Sequence, residues 1–154
     1  MPPIEQIHPM VLHFPIVLIM ILAVHDLFGL SRGLPLGGRG TYATVAVAIA
    51  VAAGASALLA ASFGDIALET AVDRGFQDGL AEMHEGLGST AAALFAIWAV
   101  LRAFVWWRSI EISGWKSSLV AVVDIALVLL VIVTAYFGGQ LVYEYGVNVA
   151  PVMK

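Results

Sequence analysis

TYATVAVAIAVAAGASALLAASF, residues 41–63, runs for 23 residues without a charge. About 20 apolar residues in a helix cross the hydrocarbon layer of a bilayer. In lipid only helices and closed barrels satisfy their own backbone. A barrel strand would alternate apolar and polar side chains, whereas this run is continuous, so it reads as a transmembrane helix. Three further runs share its character, at residues 9–30, 87–107 and 119–137. Composition agrees. Of 154 residues, 61% are hydrophobic and 12% charged, against about 25% charged in an ordinary soluble domain. Mean hydropathy is +0.96. So few polar groups cannot cover a soluble domain of this size. The expected architecture is all-α, an integral-membrane four-helix bundle, with residues 1–154 forming one four-span domain.

The connections set the sidedness. SRGLPLGGRG joins the first two runs, and its Gly and Pro suit a short turn. Residues 108–118 join the last two. Arg32, Arg39, Arg102, Arg108 and Lys116 then fall on one side, against Arg74 and Lys154 on the other. The excess of Lys and Arg marks the cytoplasmic side. Both termini are therefore expected outside, in a bacterial inner (cytoplasmic) membrane. The N-terminus lacks the basic region and small-residue cleavage site of a signal peptide, so the first run is expected to remain as a span. Glu5, Asp65, Glu69, Asp73, Asp78, Glu82, Glu85 and Glu144 make the outer face acidic. The outer connection, residues 64–86, contains DIALETAVDRG, which is expected to form a short interfacial helix before an outward extension of the third span. The residues show no convincing internal repeat.

Several functions are excluded early. The chain has no cysteine, so disulfides, thiolate metal sites, iron–sulfur clusters and covalently attached haem are ruled out. A net charge of −4 with seven Lys and Arg argues against nucleic-acid binding. No GxSxG, Walker A, HExxH or dinucleotide fingerprint is present. An electron-transfer or accessory subunit fits better than a stand-alone enzyme.

Three of the four histidines converge on the outer side. HPMVLHFP places His8 just before the first span and His13 about a turn inside it, and His84 stands at the mouth of the third. The first and third spans run in the same direction, so all three lie at similar depth. A neutral imidazole offers one lone pair to a metal, and two from facing helices can ligate a b-type haem. Gly88, Ala91 and Ala92 share the face of His84 and leave room for a macrocycle. The second span is also rich in Ala and Gly, which close helix packing alone would explain. His8 and His13, five residues apart, cannot both face one metal from a regular helix. Pro9 or Pro15 could alter that by disturbing the helix. Tyr136, Tyr143 and Tyr145 suit the interfacial aromatic belt. Alternatively the tail, turning at Gly146, caps the histidines and lets Tyr143 or Gln140 bond a propionate.

HPMVLHFPIVL, Gly64–Asp65, His84 and GGQLVYEYGVNV together resemble the small bacterial membrane-protein family known as domain of unknown function 2231. The likeness spans nearly the whole chain. It marks His8, Pro9, His13, Pro15, His84, Gly138, Gly139 and Tyr143 as motif positions, with His25 outside the pattern. The resemblance implies a four-helix membrane protein, and haem binding by analogy with four-helix b-type cytochromes.

Three readings follow. The first is an electron-transfer protein with one b-type haem between the first and third helices. His13 and His84 would be its axial ligands, with His8 as a propionate partner or alternative ligand. His13 is preferred because a hydrophobic ring sits inside the span. The acidic face would attract a basic periplasmic redox protein. The second is a zinc or copper site of His8, His13 and His84 with Glu85 or Asp65. The third is a cofactor-free subunit or assembly protein of a larger membrane complex. Homo-oligomers are compatible with each. At the inner side, Asp124 needs a partner in the bilayer, Arg102 or His25. A structural ion pair is the first reading there, and a proton path or a second haem the others. The chain has no second inner histidine for a bis-His haem.

Overall fold

Proline interrupts the first span near its start. Pro15 has no amide hydrogen for the carbonyl of Val11, and its ring crowds that carbonyl. The structure is a computed structural model that describes residues 7–76, 78–147 and 149. In it a short helix, α1 (Ile7–Val11), stops at Leu12 and α2 (His13–Ser31) continues the span. Three long helices follow, α3 (Thr41–Asp73), α4 (Gly79–Trp107) and α5 (Trp115–Tyr143), and the described residues include no strand. Four segments are long and apolar enough to cross a membrane: Ile7–Ser31, Thr41–Asp73, Gly79–Trp107 and Trp115–Tyr143. The expected four-helix membrane bundle is the observed one.

The helices form a ring. α2 touches α3 and α5, and α4 touches the same two, so α2 and α4 stand on one diagonal. The buried face of α3 is a seam of alanines, Ala43, Ala46, Ala50, Ala53, Ala57 and Ala60, at alternating spacings of three and four. Small side chains let backbones approach closely in lipid. The closest approach is at Gly54, where a Cβ would lie 3.0 Å from the Cβ of Ala99 and 3.1 Å from the Phe95 carbonyl oxygen. Large apolar side chains turn outward instead: Val24 and Val100 are 68% and 67% exposed. Such a surface would aggregate in water and is matched to acyl chains in a membrane.

Two loops close the end opposite the termini. The Leu36 amide donates to the Ile112 carbonyl at 2.9 Å, joining the α2–α3 loop to the α4–α5 loop. Arg39 Nη2 donates to the Trp107 carbonyl at 2.7 Å, satisfying an orphan acceptor at the end of α4. Arg32, Arg39, Arg108 and Lys116 are exposed at this loop end. Arg102 is not among them. It is 2% exposed, inside the bundle, where it neutralises a carboxylate rather than marking a side of the membrane.

The terminal end differs from expectation in one respect. DIALETAVD is not a separate interfacial helix but the last turns of α3, which runs unbroken through Gly64. The reason is that Ala67 and Ala71 keep the small buried stripe going beyond the apolar run. The short extra helix at this end is α1. α4 does begin above the span, with Asp78 capping it by accepting from the Leu80 amide at 2.7 Å. Asp65, Glu69, Asp73, Glu82, Glu85 and Glu144 are exposed here. Glu5 and Lys154 lie outside the described residues.

Gly54→Leu should force α3 off α4. Its expected cost is about 1–3 kcal/mol, read as a lower unfolding midpoint in detergent, whereas Gly40→Leu, with open space at its Cβ position, should cost less.

Candidate functional site

Helical spacing decides which histidine faces inward: Leu12 keeps helical angles (φ −59°, ψ −22°), so His8 and His13, five residues apart, point to different faces of the span. His8 is half-buried on α1, which packs on α3, while His13 begins α2 and is exposed. Across the diagonal, α4 presents His84, also half-buried. The two rings are T-shaped neighbours, with centroids 6.4 Å apart and planes at 83°. The structure thus brings His8 to His84. His13 lines the same cavity from its exposed rim.

Each imidazole is held in the same way. His8 Nδ1 lies 2.8 Å from the Ala60 carbonyl on α3, and His84 Nδ1 lies 3.0 Å from the Thr134 carbonyl on α5. A carbonyl can only accept, so in both rings the Nδ1 hydrogen is donated and the lone pair is left at Nε2. Four residues beyond each acceptor stands a glycine, and the glycine is what admits the ring. A Cβ at Gly64 would lie 3.1 Å from His8 Cε1, and one at Gly138 would lie 2.7 Å from His84 Cε1.

These contacts form a repeat that the residues alone do not display. The two hydrogen bonds span 52 and 50 residues, each from a histidine to the next helix of the ring. Asp26 follows His8 by 18 residues, and Arg102 follows His84 by the same 18. Those two side chains also meet, as an ion pair between Arg102 Nη1 and Asp26 Oδ2. The helix hairpins α2–α3 and α4–α5 therefore contribute matched positions at both ends.

Between the histidines and the middle of the bundle lies a cavity of about 670 Å³. That is within the ~300–1,000 Å³ range of small-molecule and cofactor sites. Ala57, Ala61, Gly88, Ala91 and Ala92 line its walls, and Phe95 and Val131 reach it from deeper positions. Gly88 is half-buried there, as its place on the His84 face requires. Glu85 and Asp65 stand at the exposed rim. Tyr143 also borders the cavity, but it is 90% exposed and stands at the mouth rather than over the rings. The tail does turn back. Gly146 has φ +63°, the Val147 amide donates to the Leu141 carbonyl at 3.0 Å, and Val147 and Val149 line the opening. Among the described residues no three His, Cys, Asp or Glu side chains converge as a metal ion alone would need.

The loop-end cluster has different pairings from those expected. Asp26 and Asp124 are fully buried. Arg102 pairs with Asp26, as does His25 Nδ1 at 3.0 Å. The hydrogen-bond donor to Asp124 is Trp98 Nε1, at 2.8 Å to Oδ1. An indole deep in a span reads from sequence as one more apolar residue, so nothing pointed to Trp98. Its place four residues before Arg102 on one helix face was the available signal.

A family model described as "Predicted membrane protein (DUF2231)" matches residues 5–151. No curated protein and no solved structure matches the chain. With four lipid-spanning helices, and a match over nearly its full length, the chain belongs to this predicted membrane protein family, domain of unknown function 2231.

Proposed function

We propose that this protein is a membrane-embedded b-type haem protein that transfers electrons, with one haem held between His8 and His84. The observation that carries the reading is the distance between the two rings. Imidazoles on opposite sides of one metal ion, at bond lengths of about 2.0–2.1 Å, have ring centroids roughly 6–6.5 Å apart. The observed separation is 6.4 Å. Sequence reasoning preferred His13 for its depth, and the inward face of α1 favours His8. A pair of imidazoles with no third protein donor among the described residues would suit a cofactor that supplies the remaining ligands itself. It suits a bare zinc or copper ion less well.

The residues present fit such a group. Donation of each Nδ1 hydrogen to a carbonyl fixes the tautomer, orients the ring and raises its basicity as a ligand. Gly64 and Gly138 seat the rings. The alanine and glycine walls give space for a flat apolar macrocycle and keep water from it. When bound, haem would supply reversible one-electron chemistry, tuned by axial ligands and burial. The exposed Asp65, Glu69, Glu82 and Glu85 give the mouth a field that steers a basic redox partner towards it. Arg32, Arg39, Arg108 and Lys116 favour a cytoplasmic loop end, which would put the histidines and both termini on the periplasmic side of a bacterial inner membrane.

Protein purified from haem-replete membranes should show a Soret band and a pyridine-haemochrome signal. His8→Ala and His84→Ala should each lose the pigment, and His13→Ala should keep it. A colourless wild-type protein, or pigment that depends on His13 but not His8, would refute the assignment.

Gly138→Val should displace the His84 ring and weaken haem retention by about 10- to 100-fold, the range seen when support of a ligand is lost. Gly86→Val, exposed and outside the cavity lining, where a Cβ meets open space, should retain haem like the wild type. Equal haem titrations for the two variants would contradict the role given to Gly138.

A further inference from the structure

The loop-end cluster carries a second function, independent of what fills the cavity. Burying a charge in a membrane protein is costly unless it is paired. Here two carboxyls, Asp26 and Asp124, are completely buried beside a single guanidinium, Arg102. Arg102 Nη1 is committed to Asp26, and its Nη2 reaches the Leu36 carbonyl at 3.5 Å. Asp124 has Trp98 on Oδ1, but its Oδ2 is buried without any partner. Trp98, the donor to Asp124, also lies against Arg102, whose guanidinium carbon is 5.7 Å from its ring centroid, so the two carboxyls share one pocket. With both ionised, that pocket would hold one uncompensated negative charge and a buried acceptor without a donor. One proton removes both faults: Asp124 gains a hydroxyl that can donate, and the cluster is neutral over Arg102.

A route for that proton is also present. His25 Nδ1 is 3.0 Å from Asp26 Oδ1, and the imidazole is 16% exposed while the carboxylate is wholly enclosed. Tyr42, from α3, stacks on this ring with centroids 3.9 Å apart and bonds through its hydroxyl to the His25 carbonyl. The imidazole is thereby held with Nδ1 on the carboxylate, on a side chain that is partly exposed. Towards the cavity, Ile19 and Leu22 close the path, at 1% and 0% exposure. The groups facing the pair are thus His25 from α2, Tyr42 from α3, Trp98 and Arg102 from α4, and the Leu36 carbonyl from the loop.

We propose that Asp26 and Asp124 form a buried proton-binding site, sharing one exchangeable proton beside Arg102 and trading it with water at the loop end through His25. In the transfer His25 takes a proton at Nε2 and gives its Nδ1 proton to Asp26 Oδ1, and the carboxyl pair then holds it. Release reverses these steps. The cluster alternates between neutral and one negative charge, and no electron is gained or lost.

The test is infrared spectroscopy of the full chain in lipid vesicles, whether or not haem is bound. At neutral pH the wild-type protein should show the C=O stretch of a protonated carboxylic acid, shifting in D₂O and on incorporation of isotope-labelled aspartate. Asp124→Asn should abolish it. His25→Phe should slow its exchange in D₂O at least about tenfold with the band itself retained. Absence of the band in the wild type overturns the proposal without any variant having to fold. So does a band insensitive to aspartate labelling, or one that survives Asp124→Asn. Unchanged exchange in His25→Phe overturns the route. None of these outcomes depends on the haem assignment.

Discussion

Helices dissolved in lipid gain little from burying apolar surface against each other, because the acyl chains are as apolar as the helices. What remains is close backbone approach and a few polar contacts, and this bundle is built from both. The alanine seam of α3 and the glycine at position 54 bring α3 against α4. The larger aliphatic side chains, which would form the core of a soluble protein, are turned to the outside. Because the inward-facing residues are small, the interior has space at one end, and that space is the cavity. Packing and cavity are consequences of the same choice of side chains.

The polar contacts are concentrated at the two ends of the bundle. At the terminal end, His8 and His84 each donate to a carbonyl of the neighbouring helix. At the loop end, Asp26 and Arg102 pair across the α2–α4 diagonal. Both pairs join the same two spans, Ile7–Ser31 and Gly79–Trp107, with the same 18-residue separation along each. Two helical hairpins placed face to face thus present one pair of like side chains and one pair of opposite charge. Like imidazoles suit a shared guest between them. Opposite charges suit direct contact, and they draw the helices together at the loop end.

Much of the site was legible, though not its pairing. His8, His84, Gly88 and the glycines of GGQ could be named from the residues, because histidine and glycine are conspicuous in an apolar chain. The choice between His8 and His13 could not. It turns on how this span is rotated about its axis, which sets His8 against α3 and leaves His13 at the exposed rim. Similarly, DIALETAVD carries acidic residues at a helical period, but only its contacts show that it prolongs α3. Arg102 could be named as the partner of a buried carboxylate, but not of which one: it pairs with Asp26 and not with Asp124.

The sequence by itself determined the membrane, the four spans and the end of the bundle at which the histidines gather. These follow from run length, composition and parity, which need no partner residue. Only the tertiary structure decided which imidazole meets which, that Gly64 and Gly138 seat them, and that Trp98 rather than Arg102 serves Asp124. Those are relations between helices about 50 residues apart in the chain. Such relations are set by how each helix is rotated about its axis, a quantity fixed by packing and not by local residue order.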